Sequence, residues 1–369
     1  MIYLDNGATS FPKPPEVTQA MVEAARTCAN PGRGGHPAAM AAAETVFHCR
    51  ERAAKRFDCK PEQVVFTLNC TQGLNMAIRT LVRPGARVVI TGFEHNAVVR
   101  PLYALNARIS VAGRRLFDPA DTLLQWERAL RRGVDAAVFT HVSNVFGYIL
   151  PAEEMAALCR RYHVPFVVDA AQSAGTLPVS LEKWGADFIA MPGHKGLLGP
   201  QGTGVLLCNR LPEPICYGGT GSESRLRGMP DFLPDRGEAG TVNVPGIAGL
   251  SAGLLVLERE GISTIYRREA QEARRCAAAL ENLGLRVFWG REQGGTVSFL
   301  PGADCEECAA ALAGQGIAVR AGLHCAPLAH ESAGTLETGT VRLSFGRDAD
   351  PQQTAALLRG MREFLRGRS

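Results

Sequence analysis

Two neighbouring stretches decide the fold: "PFVVDAAQSAG" (165–175) and "ADFIAMPGHKG" (186–196). Each opens on a short apolar run and closes on small and polar residues. A run of four to six apolar residues bounded by turn residues reads as a strand covered on both faces. The same form appears in "QVVFT" (63–67), "RVVITG" (87–92), "AAVFTHV" (136–142) and "GTGVLLC" (202–208). Between several of these lie "TQGLNMAIRTLV" (71–82), "TLLQWERALRR" (122–132) and "AEEMAALCRRYH" (152–163), with apolar residues three and four apart. That spacing predicts helices. The β–α alternation predicts an α/β fold with a mainly parallel central sheet and helices on both faces.

Past residue 210 the texture changes. Residues 217–246 are rich in Gly, Pro and charge, and a long helical stretch follows over 246–283. Strand and helix patterns near "GTVSFL", "CEECAAALAGQG", "IAVRAG" and "VRLSFG" then predict a smaller C-terminal α/β domain. A chain of 369 residues is long for one core. The expected division is a large domain over 15–255 and a small one over 256–369, with 1–14 packing on the latter.

Composition excludes several classes. The net charge of +4 comes with no dense Lys/Arg stripe along the sequence, which argues against a nucleic-acid partner. No apolar run approaches the ~20 residues of a membrane span. The start, "MIYLDNGATSFPKPPE", lacks the basic and long apolar regions of a signal peptide, so the expected location is cytoplasmic. Eleven cysteines, an odd number, read as free thiols in a reducing compartment. Ten of them sit in core or helix patterns. The CxxC at Cys305 and Cys308 lies in an alanine-rich helix with no second pair, so no metal site is expected.

Lysine is scarce: 5 of the 40 basic residues, the other 35 being arginine. Lys195 stands at a strand end, 26 residues after Asp169 at the end of another. Ligands of such sheets sit beyond the carboxyl ends of the strands. The pair has an ordinary reading as a structural ion pair. Its functional reading is a pyridoxal phosphate site. There a lysine amine forms a Schiff base with the aldehyde, and a carboxylate keeps the pyridine nitrogen protonated. Arginine cannot replace that lysine, because its guanidinium stays protonated. His95, after "RVVITG", is placed to stack on the ring. Thr71 opens a helix after "QVVFT", where N–H groups and a hydroxyl make an anion site, and either Thr71 or Asn69 could simply cap that helix. Cys325, in "VRAGLHCAPLAH" (319–330), reads as an exposed turn cysteine whose thiolate is favoured by Arg320 and His324.

The order of these segments resembles the cysteine desulfurases of the class V aminotransferase family, with the fold-type I architecture of pyridoxal phosphate enzymes. Nine segments carry the resemblance: "YLDNGATS" (3–10), "NPGRGGH" (30–36), "CTQGLN" (70–75), "EHNA" (94–97), "HVSNVFG" (141–147), "VDAAQSAG" (168–175), "GHKGLLGPQGTG" (193–204), "EAGTVN" (238–243) and "RAGLHCAP" (320–327). The resemblance implies Lys195 as the Schiff-base lysine, Asp169 as the pyridinium partner, Gln172 at the ring hydroxyl and His95 stacked on the ring. It implies Thr71, His194 and the Cys70 position around the phosphate, with Thr241 reaching the site from the other subunit of a homodimer. Asn144, Arg342 and Arg320 fall at substrate positions, and Cys325 at the position that attacks the substrate sulfur and becomes a persulfide. L-cysteine is then the substrate, L-selenocysteine an alternative, and a separate acceptor protein takes the sulfur. The short "RAGLHCAP" setting resembles the SufS-like group. Pro192 and Cys70 depart from the family where a hydroxyl residue is common, and 217–237 is distinctive. A selenocysteine lyase, a cysteine sulfinate desulfinase, a class V aminotransferase and a non-catalytic scaffold stay open as alternatives at this point.

Overall fold

A computed structural model describes residues 1–32 and 34–367; Arg33, within the "NPGRGGH" segment, lies outside the described residues. The chain starts with β1 (Ile2–Tyr3), α1 (Pro15–Thr27) and α2 (Pro37–Phe57). Next come β2 (Val64–Thr67), α3 (Cys70–Leu81), β3 (Arg87–Thr91), α4 (Asn96–Ala104), β4 (Arg108–Ala112) and α5 (Pro119–Arg131). They are followed by β5 (Ala136–Thr140), α6 (Ala152–Arg161), β6 (Phe166–Asp169), α7 (Leu181–Trp184), β7 (Phe188–Pro192) and β8 (Gly204–Cys208). Seven of these strands form one sheet, in the order β2-β8-β7-β6-β5-β3-β4. Only β8 runs against its neighbours, so the sheet is mostly parallel, as its near-continuous apolar strands predict.

Alternate strand residues feed two cores. Val89, Val168 and Leu207 join the core built with α2, α5, α6 and α8 (Val244–Glu260). Val88, Ile90, Val167 and Leu206 join the core built with α3 and α4. Helices therefore cover both faces of the sheet.

The expected long helix over 246–283 is two helices. Gly261, with φ +79°, ends α8 and starts α9 (Ile262–Glu281). A left-handed glycine stops the i to i−4 ladder where an L-residue would be strained. Beyond it come β9 (Arg286–Phe288), β10 (Thr296–Leu300), α10 (Cys305–Gly314), β11 (Ile317–Ala318), β12 (Arg320–Gly322), α11 (Pro327–Ala333), β13 (Thr340–Ser344) and α12 (Pro351–Arg366). A four-stranded sheet, β12-β13-β10-β9, is assembled here, while β1 pairs in parallel with β11. Leu4 enters the core of this second unit beside Cys276, Cys305 and Cys308. β4 carries no long apolar run and lies at the edge of the large sheet, half exposed; the strand readings above do not include it.

Candidate functional site

The parallel strands deliver their side chains to one edge of the sheet. β6 ends on Asp169, in register with Thr140 at the end of β5 and with Ala190 in β7. β7 runs on into His194 and Lys195, and β3 into Glu94 and His95. A cavity of about 100 Å³ lies there, lined by Cys70, Thr71, His95, Asn144, Asp169, Gln172, Pro192, His194 and Lys195.

Burial governs the chemistry of these groups. Lys195 is half-buried at the cavity; desolvation pushes its pKa down, the nearby Arg342 charge adds to this, and Asp169 opposes it. Its Nζ has no hydrogen-bond acceptor among the described residues, so the amine is free to react. Asp169 is pushed up by burial, while the Ala171 N–H, Lys195 and the Cys70 thiol hold it towards its charged form. Its Oδ1 accepts from Ala171 N (2.9 Å) and Cys70 Sγ (3.6 Å). Cys70 thus faces the carboxylate. Burial raises its own pKa well above the ordinary value, so it remains a thiol donor.

Asn69 caps α3 by accepting from Gln72 N (2.9 Å), so the hydroxyl of Thr71 has no hydrogen bond among the described residues. His194 Nδ1 is buried without a partner. An orphaned buried ring nitrogen, a free hydroxyl and a helix N-terminus at one end of a cavity fit a bound anion. At the other end, Gln172 Nε2 donates to Gly7 O (3.0 Å). His95 caps α4, its Nδ1 accepting from Ala97 N (3.0 Å). Burial, then Lys195, lowers its pKa to about 4, so the ring is neutral.

Arg342 and Arg320 converge on a residue that the sequence does not single out. Asp5 Oδ1 accepts from Arg342 Nη2 (2.7 Å), and Asp5 Oδ2 from Arg320 Nη2 (2.8 Å). Arg342 Nη1 also donates to Asn144 O (3.0 Å). Asn144 Nδ2 in turn donates to His324 O (2.8 Å), which ties the substrate-side residues to the Cys325 loop. The N-terminal segment also clasps the peptide before Lys195. The carbonyl of His194 accepts from Ser10 N (3.0 Å), Thr9 Oγ1 (3.0 Å), Ser10 Oγ (3.2 Å) and Lys13 Nζ (2.7 Å). Burial lowers the pKa of Lys13 to about 8.

Cys325 is exposed and stands outside the cavity lining. It and His324 have φ of +56° and +50°, a left-handed conformation costly for side chains with a Cβ. The loop is pinned at its backbone by Asn96 N donating to Cys325 O (2.8 Å) and by Asn144. One expectation fails here: His324 brings no positive charge to Cys325. Its ring is buried against Thr340, and desolvation followed by Arg342 drives its pKa down to about 2. Thr241 lines a different hollow, with Phe66, Cys216 and Asn243, and does not meet Lys195 within one chain. Cys216 is exposed in a loop, against its reading as core or helix.

The profile of the family described as aminotransferase class-V matches residues 2–357. A probable cysteine desulfurase of Pyrococcus abyssi is 33% identical over 363 residues, covering 94% of this chain and 89% of the relative. The apo structure of the cysteine desulfurase of Thermococcus onnurineus superposes with a TM-score of 0.90 at 33% identity, covering 99% of this chain and 95% of that one. The Escherichia coli cysteine desulfurase CsdA, in an S-sulfonic acid form, gives a TM-score of 0.85 at 26% identity over 99% and 94%.

Proposed function

The chain belongs to the aminotransferase class-V family, and on that premise we propose that it is a pyridoxal phosphate-dependent cysteine desulfurase. It converts L-cysteine to L-alanine and holds the sulfur on Cys325. The observation that carries this reading is Lys195: a partly desolvated amine with no acceptor among the described residues, in one cavity with Asp169, Gln172 and His95.

Lys195, Asp169, Gln172 and His95 would hold the ring of the cofactor, and Thr71 and His194 its phosphate, with Thr241 of a second subunit completing that end. Bound there, the cofactor supplies an aldehyde for the amino group and an electron sink for the carbanion. Lys195 Nζ, its pKa lowered by burial, takes the proton from the substrate Cα. Arg342 and Asn144 orient the substrate carboxylate, and Asp5 orients Arg342. Cys325 Sγ attacks the substrate sulfur, and the Cβ–S bond leaves its electron pair on carbon. The product is alanine, with the sulfur as a persulfide on Cys325. An acceptor protein then takes it. Exposure of Cys325 suits that handover, and eleven free thiols suit the reducing cytoplasm.

The test is alanine release from L-cysteine, L-selenocysteine and cysteine sulfinate in parallel, with wild type and Cys325→Ala. The reading expects the cysteine reaction alone to vanish with Cys325. Full cysteine activity without Cys325 overturns it in favour of a lyase or desulfinase.

A further inference from the structure

Six arginines scattered through the sequence meet in one open groove, outside the lining of the cofactor cavity. Its wall is α5 and its rim is β4, the edge strand of the large sheet. Arg87 and Arg108 face each other in register at one end. Arg114 and Arg115 follow β4 at the other end, and Arg128 and Arg132 stand at the end of α5. All six are exposed. Arg87, Arg114 and Arg115 have carboxylate neighbours at 3.4–4.0 Å, exposed pairs that neutralise little. Among the described residues, no carboxylate lies within ion-pairing distance of Arg108, Arg128 or Arg132. The floor between them is small and partly apolar, with Val111, Ala112, Ala129 and Val134.

The shape and the charge ask for an extended acidic chain. β4 covers about 13 Å from residue 108 to 112 and Arg114 follows two residues on, so positive charge stands at both ends of a short trough. No described strand pairs with the outer side of β4, which leaves backbone groups there for strand addition. A single-stranded nucleic acid would need aromatic platforms for its bases, and the groove lining has none.

One end of the groove also abuts the helix that follows Cys325. Arg114 Nη1 lies 3.4 Å from Glu331 Oε2 of α11, and Ser332 Oγ donates to Gly92 O (2.9 Å). α11 begins two residues after Cys325. Glu331 is therefore at most about 13 Å of chain from Cys325.

We propose that the β4–α5 groove docks an acidic, extended segment of the protein that receives sulfur from Cys325. The inference rests on the desulfurase reading for the identity of the cargo, and on the groove alone for the docking. In the transfer, the acceptor thiolate attacks the outer sulfur of the Cys325 persulfide. A new S–S bond forms on the acceptor, the old one breaks, and Cys325 leaves as thiolate.

The test uses the holoenzyme and the triple variant Arg108→Glu, Arg128→Glu, Arg132→Glu. The three positions are exposed, and the variant keeps a charged edge strand, so protection of that edge against aggregation is preserved. The probe is a fluorescein-labelled peptide of alternating Glu and Val with one terminal Cys; its control has Thr for Glu. Anisotropy should show the acidic peptide binding wild type, weakening with salt and falling roughly ten-fold or more in the triple variant. Persulfide transfer to its cysteine should outpace transfer to the control in wild type only. Sulfide release with a small thiol reductant should be equal in both proteins. Equal peptide binding by both proteins, or no binding by wild type, overturns the docking site. Tighter binding of an oligouridylate of equal charge, lost in the triple variant, overturns a protein partner in favour of RNA. Absence of alanine formation from cysteine defeats the desulfurase reading instead, and leaves the anisotropy result to stand by itself.

Discussion

The cavity at Lys195 and the loop at Cys325 solve opposite problems. The cavity sits on the ends of buried parallel strands, and every titrating group in it is shifted chiefly by loss of water. The loop presents Cys325 to solvent on two left-handed residues and is held by its backbone carbonyls. An amine must lose its proton before it can bond to carbon, and burial favours that loss. A thiol that has to meet another protein must be reachable, and burial would defeat it. Cys70 makes the contrast within one residue type: enclosed beside Asp169 it is held as a thiol, whereas Cys325 is open to solvent.

The strongest way to break this comparison is Lys195→Ala. It should abolish the visible absorbance of the purified enzyme and lower alanine formation from cysteine by roughly three orders of magnitude. Steady-state kinetics with spectra decide it, and a coloured, active variant would end the cofactor reading. Next, Cys325→Ala should leave the absorbance intact while sulfide release from cysteine disappears. Bleaching in this variant would mean that the two regions are not separable.

The third change acts on the link between them. Asp5→Ala leaves Arg342 buried without its carboxylate, at a cost of about 3–5 kcal/mol. Urea denaturation should show it as a lower midpoint at unchanged slope, and the KM for cysteine should rise. An unchanged midpoint would show that Asp5 does not hold the arginines.

The smallest effect concerns pH. Glu94 lies below the cavity with Oε1 bonded to Thr91 and Thr140 and Oε2 without a partner, and burial raises its pKa to about 8. The native state keeps a proton that the unfolded chain loses from about pH 4.5 upward. Its contribution to stability is therefore full below that pH and is lost as pH rises towards 8. Glu94→Gln should flatten the decline of stability over this window, and denaturation at several pH values measures it. The same slope in both proteins would refute the assignment. The buried histidines act in the other direction. His95, His141, His194 and His330 fall to about 4. The unfolded chain takes up their protons first as pH drops below ~6.5, so their contribution is lost on the acid side.

The parts legible in the sequence were those with a local cause. Strands buried on both faces leave unbroken apolar runs, and their ends fix where Asp169, His95 and Lys195 stand. Asp5 left no such trace, because its partners lie 315 and 337 residues away. β4 was hidden because an edge strand alternates weakly and carries arginine. The helix break at Gly261 was lost among good helix formers on either side. His324 looked like a cation next to Cys325 because burial cannot be read from a tripeptide. The arginine groove was invisible for a further reason: its six members come from three separate stretches of sequence, each of which alone resembles an ordinary solvated face.

The four donors on the His194 carbonyl have a consequence for biosynthesis. Ser10 and Lys13 are made long before the residues that hold their segment in place, which are β11 and Ser344. A ribosome-bound chain that stops short of Ser344 lacks the anchor for that segment. The peptide before Lys195 is therefore locked late, after residues up to Ser344 have been made, so a translation product cut short of them should emerge without a finished reactive centre.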